Sequence, residues 1–244
     1  MKKVMLNQAF DNLAHGFRIL FEADYHAHRG GLMFTDRAEA VGNIEAAFTA
    51  VLHGFHSIYD ILAEDPGSPG KQWFSIGPLA AIMTMRNARH HNKANKIRSL
   101  YNLHAQEARS PDRMEMYVYV DFPREESNQS AFQLFVSWAD MKMLFEMPER
   151  QSQVKAATRE VVEQYLGSTN FAALAQHYGE PESRVVFNAV TILTDAGIAM
   201  MPFLAGGLEP FSTEGEAFKL MFETSEASDR SNPESTCGPF VLPE

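Results

Sequence analysis

The first third of the chain has apolar residues at the spacing of long amphipathic helices. Apolar positions recur three or four residues apart over 6–21, and a glycine pair at 30–31 ends this segment. A second segment with the same period covers about 35–63 and opens on a threonine and an aspartate, both good N-caps. After the break "EDPGSPG", a third helix is predicted over about 78–106. Short connections between three such helices indicate an antiparallel bundle.

The pattern changes after residue 113. The segments "MEMYVYVDF" and "AFQLFVSW" are rich in the aromatic and β-branched residues that strands favour. The polar stretch "PREESNQS" separates them, which predicts a β-hairpin over 114–138. A short apolar helix follows, and we expect it to pack the hairpin on the bundle. The first domain is therefore predicted to be residues 1–147.

The remaining segments are shorter. Helices are predicted over about 149–167, 169–179 and 181–197, then an extended segment up to 211 and a last helix capped by Ser212 or Thr213. Residues 148–223 form the predicted second domain. The tail, 224–244, is acidic and rich in Ser, Glu and Pro, a composition typical of disorder. The predicted fold class is mainly α, with one hairpin.

Composition limits the function classes. The chain has 244 residues, 45% of them hydrophobic, with a formal net charge of -10. This charge argues against unspecific attraction to nucleic acid over the whole surface, so any such contact requires a local basic patch. The lone Cys237 cannot form an intramolecular disulfide, and we find neither a signal peptide nor a membrane span. We expect a cytoplasmic protein without membrane contact.

The segment "FAALAQHYGEPESRVVFNAV" has the spacing of a helix-turn-helix, with small Ala175, Gly179 in the turn and apolar Val185. With "ILTDAGIAMMPF" and "PFSTEGEAF" after it, the region resembles the winged-helix proteins of the MarR group over about 152–222. The resemblance departs from the family pattern at Asn188, where the family usually has an apolar residue.

A winged-helix domain would present one helix to DNA. The residues that would face bases or phosphates are Ser183, Arg184, Asn188 and Thr191. Acidic neighbours flank them, and the predicted wing "LAGGLE" contains no Arg or Lys, so the basic surface expected of a DNA-binding domain is missing. Use of this domain for protein contacts is the alternative.

The stretch "TMRNARHHNKANKIRS" concentrates cations and imidazoles in the predicted third helix. Within it, Arg86, Asn87 and His91 fit the pattern R-N-x-x-x-H. This motif in a helical context resembles the active-site motif of the HEPN superfamily, which includes metal-independent endoribonucleases of toxin-antitoxin and phage-defence systems. The resemblance covers about 4–106. The tyrosine that some HEPN toxins have two residues after the histidine is missing here.

The chemistry of RNA cleavage suits these residue types. His91 can accept or donate a proton near neutral pH. Arg86 can bind a phosphate through paired donors and stabilise charge in the transition state, and Asn87 can orient either group. Neighbouring His90, and His56 with Asp60 on the preceding helix, are candidates for a supporting role. Cations predicted to contact RNA from the same stretch are Arg89, Lys93 and Lys96.

Helix geometry sets a condition on this site. Five residues of straight helix turn about 500°, so Arg86 and His91 would point about 140° apart. Either a bend or a second copy of the helix must then bring them together, and the HEPN resemblance implies a symmetric homodimer. The competing interpretation is a solvated helix face with no function.

Other histidines permit a metal site. His53, His56 and Asp60 share one face of the second helix, and imidazoles with a carboxylate can bind zinc or iron. A second group lies near the end of the first helix: Glu22, Asp24, His26 and His28. Neither group has a strong metal-binding spacing.

The hypotheses, in order, are three. The first is a HEPN-like protein that binds or cleaves RNA without a cofactor. The second is a noncatalytic winged-helix protein that regulates transcription or assembles with a protein partner. The third is a helical metal-binding enzyme.

Overall fold

Two long helices form the frame of the N-terminal half. A computed structural model of the chain describes residues 2–64, 69–107, 115–123, 132–204 and 206–240. In it, α1 (Lys2–His28) and α3 (Arg37–Ala63) are joined through the single turn α2 (Leu32–Thr35). The predicted cap at Asp36 is confirmed, because its side chain accepts the N–H of Glu39 at 2.9 Å.

The two helices are antiparallel and approach each other closely. A Cβ atom placed on Gly54 would lie 2.9 Å from Leu13 Cδ1, and one placed on Gly16 would lie 3.5 Å from Val51. The sequence order of these pairs runs in opposite directions along α1 and α3. Both apolar stripes face this contact, where Phe10, Phe48 and Phe55 are fully buried. The predicted bundle frame is therefore present.

The third predicted helix is interrupted. Instead of one helix over 78–106, the chain forms α4 (Gly77–His90), a 3-10 turn (Ala94–Lys96) and α5 (Leu100–Glu107). Backbone φ is positive at six residues outside glycine in the described chain, five of them within 92–97. A straight helix cannot continue through such a run, so the prediction of a single helix is wrong.

A small mixed sheet covers the other side of the molecule. Its strands are β1 (Met116–Asp121), β2 (Phe135–Ser137), β3 (Val185–Asn188) and β4 (Glu234–Pro239), in the order β2-β3-β1-β4. β3 is parallel to β1 and antiparallel to β2, and β4 is antiparallel to β1.

Two sequence predictions are therefore wrong. β1 and β2 do not pair as a hairpin over 114–138, because β3 lies between them. All four residues of β3 are buried, so this strand is apolar enough to occupy a central position. The predicted disordered tail contributes β4, whose Cys237 is opposite Val118. Residues 108–114, 124–131 and 241–244, which contain part of both predictions, lie outside the described residues.

The C-terminal half adds shorter helices. They are α6 (Trp138–Glu146), α7 (Glu149–Ser152), α8 (Ala156–Leu166), α9 (Phe171–His177), α10 (Ala189–Leu204) and α11 (Thr213–Thr224). Gly179 has the predicted positive φ of 74°. The predicted helix over 181–197 is only partly right, because its first residues form a 3-10 turn and β3. The segment after 197, predicted as extended, continues α10 to Leu204.

One hydrophobic core joins both halves, and the fold is mainly α as predicted. Phe17 of α1 packs against Phe55 of α3 and stacks on Phe218 of α11, with ring centroids 6.1 and 5.1 Å apart. Asp11 accepts the Ser212 hydroxyl at 2.6 Å, and Ser212 is the cap of α11. Across the described ranges, no helix has the length and apolar character needed to cross a membrane.

Candidate functional site

The R-N-x-x-x-H motif lies where α4 ends. His90 is the last helical residue and His91 is the C-cap, with φ -94° and ψ 7°. Asn92 then adopts a positive φ of 53°, and the Lys93 N–H bonds back to the Ala88 carbonyl at 2.8 Å. These bonds satisfy the helix terminus in the manner of a left-handed C-cap. The chain thus bends directly at the motif histidine.

The left-handed segment 92–97 is held by charged side chains. Asp140 of α6 accepts hydrogen bonds from Asn95 Nδ2 at 2.9 Å and from Arg98 Nε at 2.8 Å. Arg89 Nη2 donates to the Ile97 carbonyl at 3.0 Å. A left-handed backbone at Ile97 is unfavourable for a β-branched side chain, and strain of this kind persists only where surrounding contacts impose it. The segment therefore fixes the position of His90 and His91.

Helix α3 brings a second group of side chains to the same place. His53, His56 and Asp60 lie on its outer face, and the His56 Nδ1 atom is 3.0 Å from Asp60 Oδ2. The ring centroid of His53 is 5.9 Å from that of His90 on α4. His90 in turn lies 4.8 Å from His91, edge to face. We call the following residues the imidazole–arginine cluster: His53, His56, Asp60, Arg86, Asn87, His90 and His91.

Arg86 is the cation of this cluster. It is half-buried, and its Nη1 atom donates to Asn87 Oδ1 at 3.1 Å. Among the residues that the structure describes, no carboxylate lies within ion-pair distance of its guanidinium, and its buried Nε has no hydrogen-bond partner. Burial lowers the pKa of Arg86, and the more distant Asp60 opposes this shift. A guanidinium in this state retains unused donors for an anion.

Burial and neighbouring charge lower the pKa of three of these imidazoles. Burial lowers the pKa of His53, and the charges of Arg86 and His90 lower it further. The pKa of His56 is lowered by burial and by Arg86, against the effect of Asp60. For the exposed His91, slight desolvation and then the nearby His90, Lys93 and Arg86 lower the pKa. Neutral imidazoles can accept a proton at neutral pH.

The other predicted RNA contacts divide into two kinds. Lys96 is exposed and Lys93 is half-exposed, so both can reach a ligand beside the cluster. Arg89 cannot, because it is buried and its Nη1 lies 2.6 Å from Glu45 Oε2, with its guanidinium over the Phe48 ring. The ion pair with Glu45 and the burial of Arg89 argue against the prediction that Arg89 contacts nucleic acid.

Three of the residues predicted to face DNA in the C-terminal half form hydrogen bonds to carboxylates of the same chain. Arg184 Nη1 donates to Glu115 Oε2 at 3.0 Å. Asn188, at the end of β3, and Thr191, in α10, donate to the two carboxylate oxygens of Asp121 at 3.0 and 2.9 Å. Asn188 is also buried. These internal contacts argue against the prediction that the three residues read DNA, and only Ser183 of that set is exposed.

The metal-site alternative finds no support in the geometry. In 2–64, 69–107, 115–123, 132–204 and 206–240, no three His, Cys, Asp or Glu side chains are grouped so as to hold a metal ion. His53 faces His90 rather than joining the His56–Asp60 pair. In the second group, His28 Nε2 lies 3.1 Å from Asp24 and 2.6 Å from the Tyr101 hydroxyl, a structural contact between α1 and α5.

Comparison with known proteins adds no assignment. No family model matches the chain, and neither the curated proteins nor the solved structures give a match. The function of the cluster has to be argued from its own chemistry.

Sequence reasoning missed two parts of the site. It placed His53 only in a metal group, because residues 53 and 90 share no local spacing and meet only through the packing of α3 on α4. It also missed Asp140, 45 residues beyond the Asn95 that it binds. The asparagines at 92 and 95, which tolerate left-handed backbone, were a local signal for the bend.

Proposed function

We propose that the imidazole–arginine cluster binds the phosphate backbone of RNA and cleaves it by a metal-independent, HEPN-like endoribonuclease reaction. The observation that carries the proposal is the state of Arg86. Its guanidinium has no carboxylate partner in the described chain, and its charge is felt by His53, His56 and His91. A half-buried cation attracts an anion, and the imidazoles beside it can transfer protons.

The chemistry follows from these groups. The 2′-oxygen of a ribose attacks the adjacent phosphorus while a neutral imidazole takes its proton. The bond from phosphorus to the 5′-oxygen breaks, and that oxygen receives a proton. Arg86 stabilises the charge that develops on the phosphorus-bound oxygens. Asn87 holds Arg86 in place through the 3.1 Å hydrogen bond, and His91 provides one of the proton transfers.

Positive charge that could bind a polyanion is confined to the neighbourhood of the cluster. Lys93 and Lys96 extend the positive surface past His91, whereas the whole chain has a net charge of -10. Binding is therefore expected to fall with salt according to the few phosphates contacted. The same proposal includes a cytoplasmic location and a homodimer, which the HEPN resemblance implies. Light scattering of the purified protein tests the dimer.

The test is cleavage of mixed-sequence single-stranded RNA in EDTA by the unaltered chain and two variants, Arg86→Ala and His91→Ala. We expect each variant to lose about 10²–10⁴-fold in rate while its urea unfolding midpoint stays close to that of the unaltered protein. Arg184→Ala serves as the control, since this cation pairs with Glu115 and is expected to leave cleavage intact. Full cleavage by both Arg86→Ala and His91→Ala would sink the proposal.

A further inference from the structure

We propose that His53 of α3 is a second catalytic imidazole, which completes an acid–base pair with His91 inside one chain. The inference rests on the proposed function and assigns a role that the motif on α4 does not include. The helix geometry of the motif required either a bend or a second helix to complete the site. In this inference the second helix is α3 of the same protomer, not α4 of a partner.

His90 is the common neighbour of two other rings, with centroid distances of 5.9 Å to His53 and 4.8 Å to His91. We call these three rings, in the order His53, His90, His91, the imidazole row. We place one phosphate diester beside His90, where hydrogen bonds of about 2.8 Å would link its oxygens to the two outer rings. His53, His90 and His91 are all exposed, so RNA can approach the row from solvent.

The reaction requires groups on opposite sides of phosphorus. The attacking 2′-oxygen and the departing 5′-oxygen lie roughly in line through the phosphorus atom. His90 and His91 are consecutive residues at the end of α4, so we assign the opposite position to an imidazole from another helix. A row with an imidazole at each end and a cation beside it serves both. Arg86 lies one turn before His90 and His91 on α4, and its charge adds to the lowering of the pKa that burial causes at His53 and His91.

The other histidine of α3 is less suited to this role. His56 Nδ1 is held 3.0 Å from Asp60, and only 21% of its side chain is exposed. His53 has no such carboxylate among the described residues, and its ring faces the row. We assign the His56–Asp60 pair to positioning and not to proton transfer.

The proton balance is closed without a further reactant. The bond from the 2′-oxygen to phosphorus forms and the bond from phosphorus to the 5′-oxygen breaks. The 2′-hydroxyl proton passes to the neutral imidazole at one end of the row. The imidazolium at the other end gives its proton to the 5′-oxygen. The products are a 2′,3′-cyclic phosphate and a 5′-hydroxyl.

Two substrates separate the acid from the base. One is an oligoribonucleotide of mixed sequence, and the other carries sulfur in place of the bridging 5′-oxygen at the cleaved position. Sulfur departs without protonation, so it restores the rate of a variant that lacks the acid and not that of a variant that lacks the base. We expect His53→Ala and His91→Ala each to lose about 10²–10⁴-fold on the oxygen substrate. One of the two, and only one, recovers on the sulfur substrate.

A pH profile and matched controls complete the test. Each variant should lose one limb of the bell-shaped rate profile, and the two should lose opposite limbs. Ser57→Ala, on the same exposed face of α3, and His177→Ala, on α9, should leave the profile unchanged.

The outcomes are distinct. If the unaltered chain cleaves RNA and His53→Ala cleaves at the same rate, the inference is overturned while the proposed function stands. It is also overturned if both variants respond alike to sulfur, since His53 then only positions the other groups. If the unaltered chain cleaves no RNA, the proposed function itself fails.

Discussion

Arg86 and Arg89 lie one turn apart on α4 and have opposite surroundings. Arg89 is buried against Phe48, with Glu45 neutralising its charge at 2.6 Å. Arg86 is half-buried with no carboxylate partner in the described part of the chain, and its charge acts on three histidines. The comparison teaches that cation content does not identify a binding site. What distinguishes a binding residue is charge that the protein itself leaves unsatisfied.

The same contrast separates the two surfaces that sequence reasoning assigned to nucleic acid. Arg184, Asn188 and Thr191 bind Glu115 and Asp121 and hold β1, β3 and α10 together. Within the described ranges, the cluster on α3 and α4 contains one carboxylate, Asp60, and Arg86 donates to the neutral amide oxygen of Asn87. The first surface thus uses its polar groups inside the protein, whereas the second leaves the charge of Arg86 without a carboxylate partner.

The largest expected effect is on stability, at Arg89. Arg89→Gln removes the buried cation that pairs with half-buried Glu45 and donates to the Ile97 carbonyl, and we expect a loss of about 3–5 kcal/mol in the free energy of unfolding. Arg86→Gln is the matched variant and should change this energy by about 1 kcal/mol or less. Urea denaturation followed by circular dichroism measures both. Equal losses would contradict the distinction between the two arginines.

Arg184 should behave as a structural residue of intermediate weight. Arg184→Ala removes a charged hydrogen bond to Glu115 and should cost about 1.5–3 kcal/mol without changing nucleic-acid affinity. Burial alone would raise the pKa of Glu115, but its bonds to Arg184 and Tyr117 lower it overall. The contribution is thus present above pH about 4.3 and is lost as pH falls through the lowered pKa.

Urea titrations of Arg184→Ala and of the unaltered chain, at pH 7 and in acid, measure this effect. The two free energies of unfolding should differ at pH 7 and become equal in acid. A weaker affinity for DNA with a smaller salt slope in the variant would instead restore the winged-helix hypothesis.

In the strained segment after His91, one substitution should stabilise the fold, by less than the losses expected at Arg89 and Arg184. Lys96 is exposed with φ +64°, so Lys96→Gly removes left-handed strain and should stabilise the fold by about 1 kcal/mol. Lys93 has φ -105°, and Lys93→Gly should destabilise by about 0.5–1 kcal/mol. The same denaturation measurement decides, and equal signs for the two variants would show that 92–97 is not strained.

Sequence reasoning predicted what depends on local pattern. The stripes of α1 and α3, the Asp36 and Ser212 caps and the turn at Gly179 follow from spacing and residue type, and the structure has them. The hairpin prediction failed because β3, the buried segment "VVFN", lies between β1 and β2 in the sheet. This strand is far from both in sequence, so no local pattern indicates the pairing. The long helix failed because Asp140 and Glu45 impose the bend at 92–97 through contacts that no local pattern contains.

The candidate site also has a part that the local sequence predicts and a part that depends on tertiary packing. Arg86, Asn87 and His91 are adjacent in sequence and were found from their motif. The meeting of His53 with His90 depends on how α3 packs on α4, and the neutralisation of Arg89 depends on Glu45, 44 residues away. Spacing along one helix cannot distinguish Arg86 from Arg89, because the distinction lies on the neighbouring helix.

The smallest expected effect, and the most direct reading of the Arg86 charge, is a shift in histidine titration. Desolvation is the largest cause of the lowered pKa of His53, His56 and His91, and the charge of Arg86 lowers each pKa further because a nearby cation disfavours the imidazolium. Arg86→Gln should therefore raise all three pKa values toward the ordinary value of about 6.5. Titration of the imidazole carbon-bound protons by NMR measures each ring.

The sign can be checked from a second residue. Asp60→Asn should lower the pKa of His56, because Asp60 now raises it, and Lys219→Gln on α11 should move none of the three. Since these pKa values are depressed in the folded chain, protonation of the histidines opposes folding. Stability is then lost as pH falls below about 6.5, and less is lost in Arg86→Gln. Unchanged titrations in Arg86→Gln would mean that another group already neutralises this guanidinium, and the contrast with Arg89 would disappear.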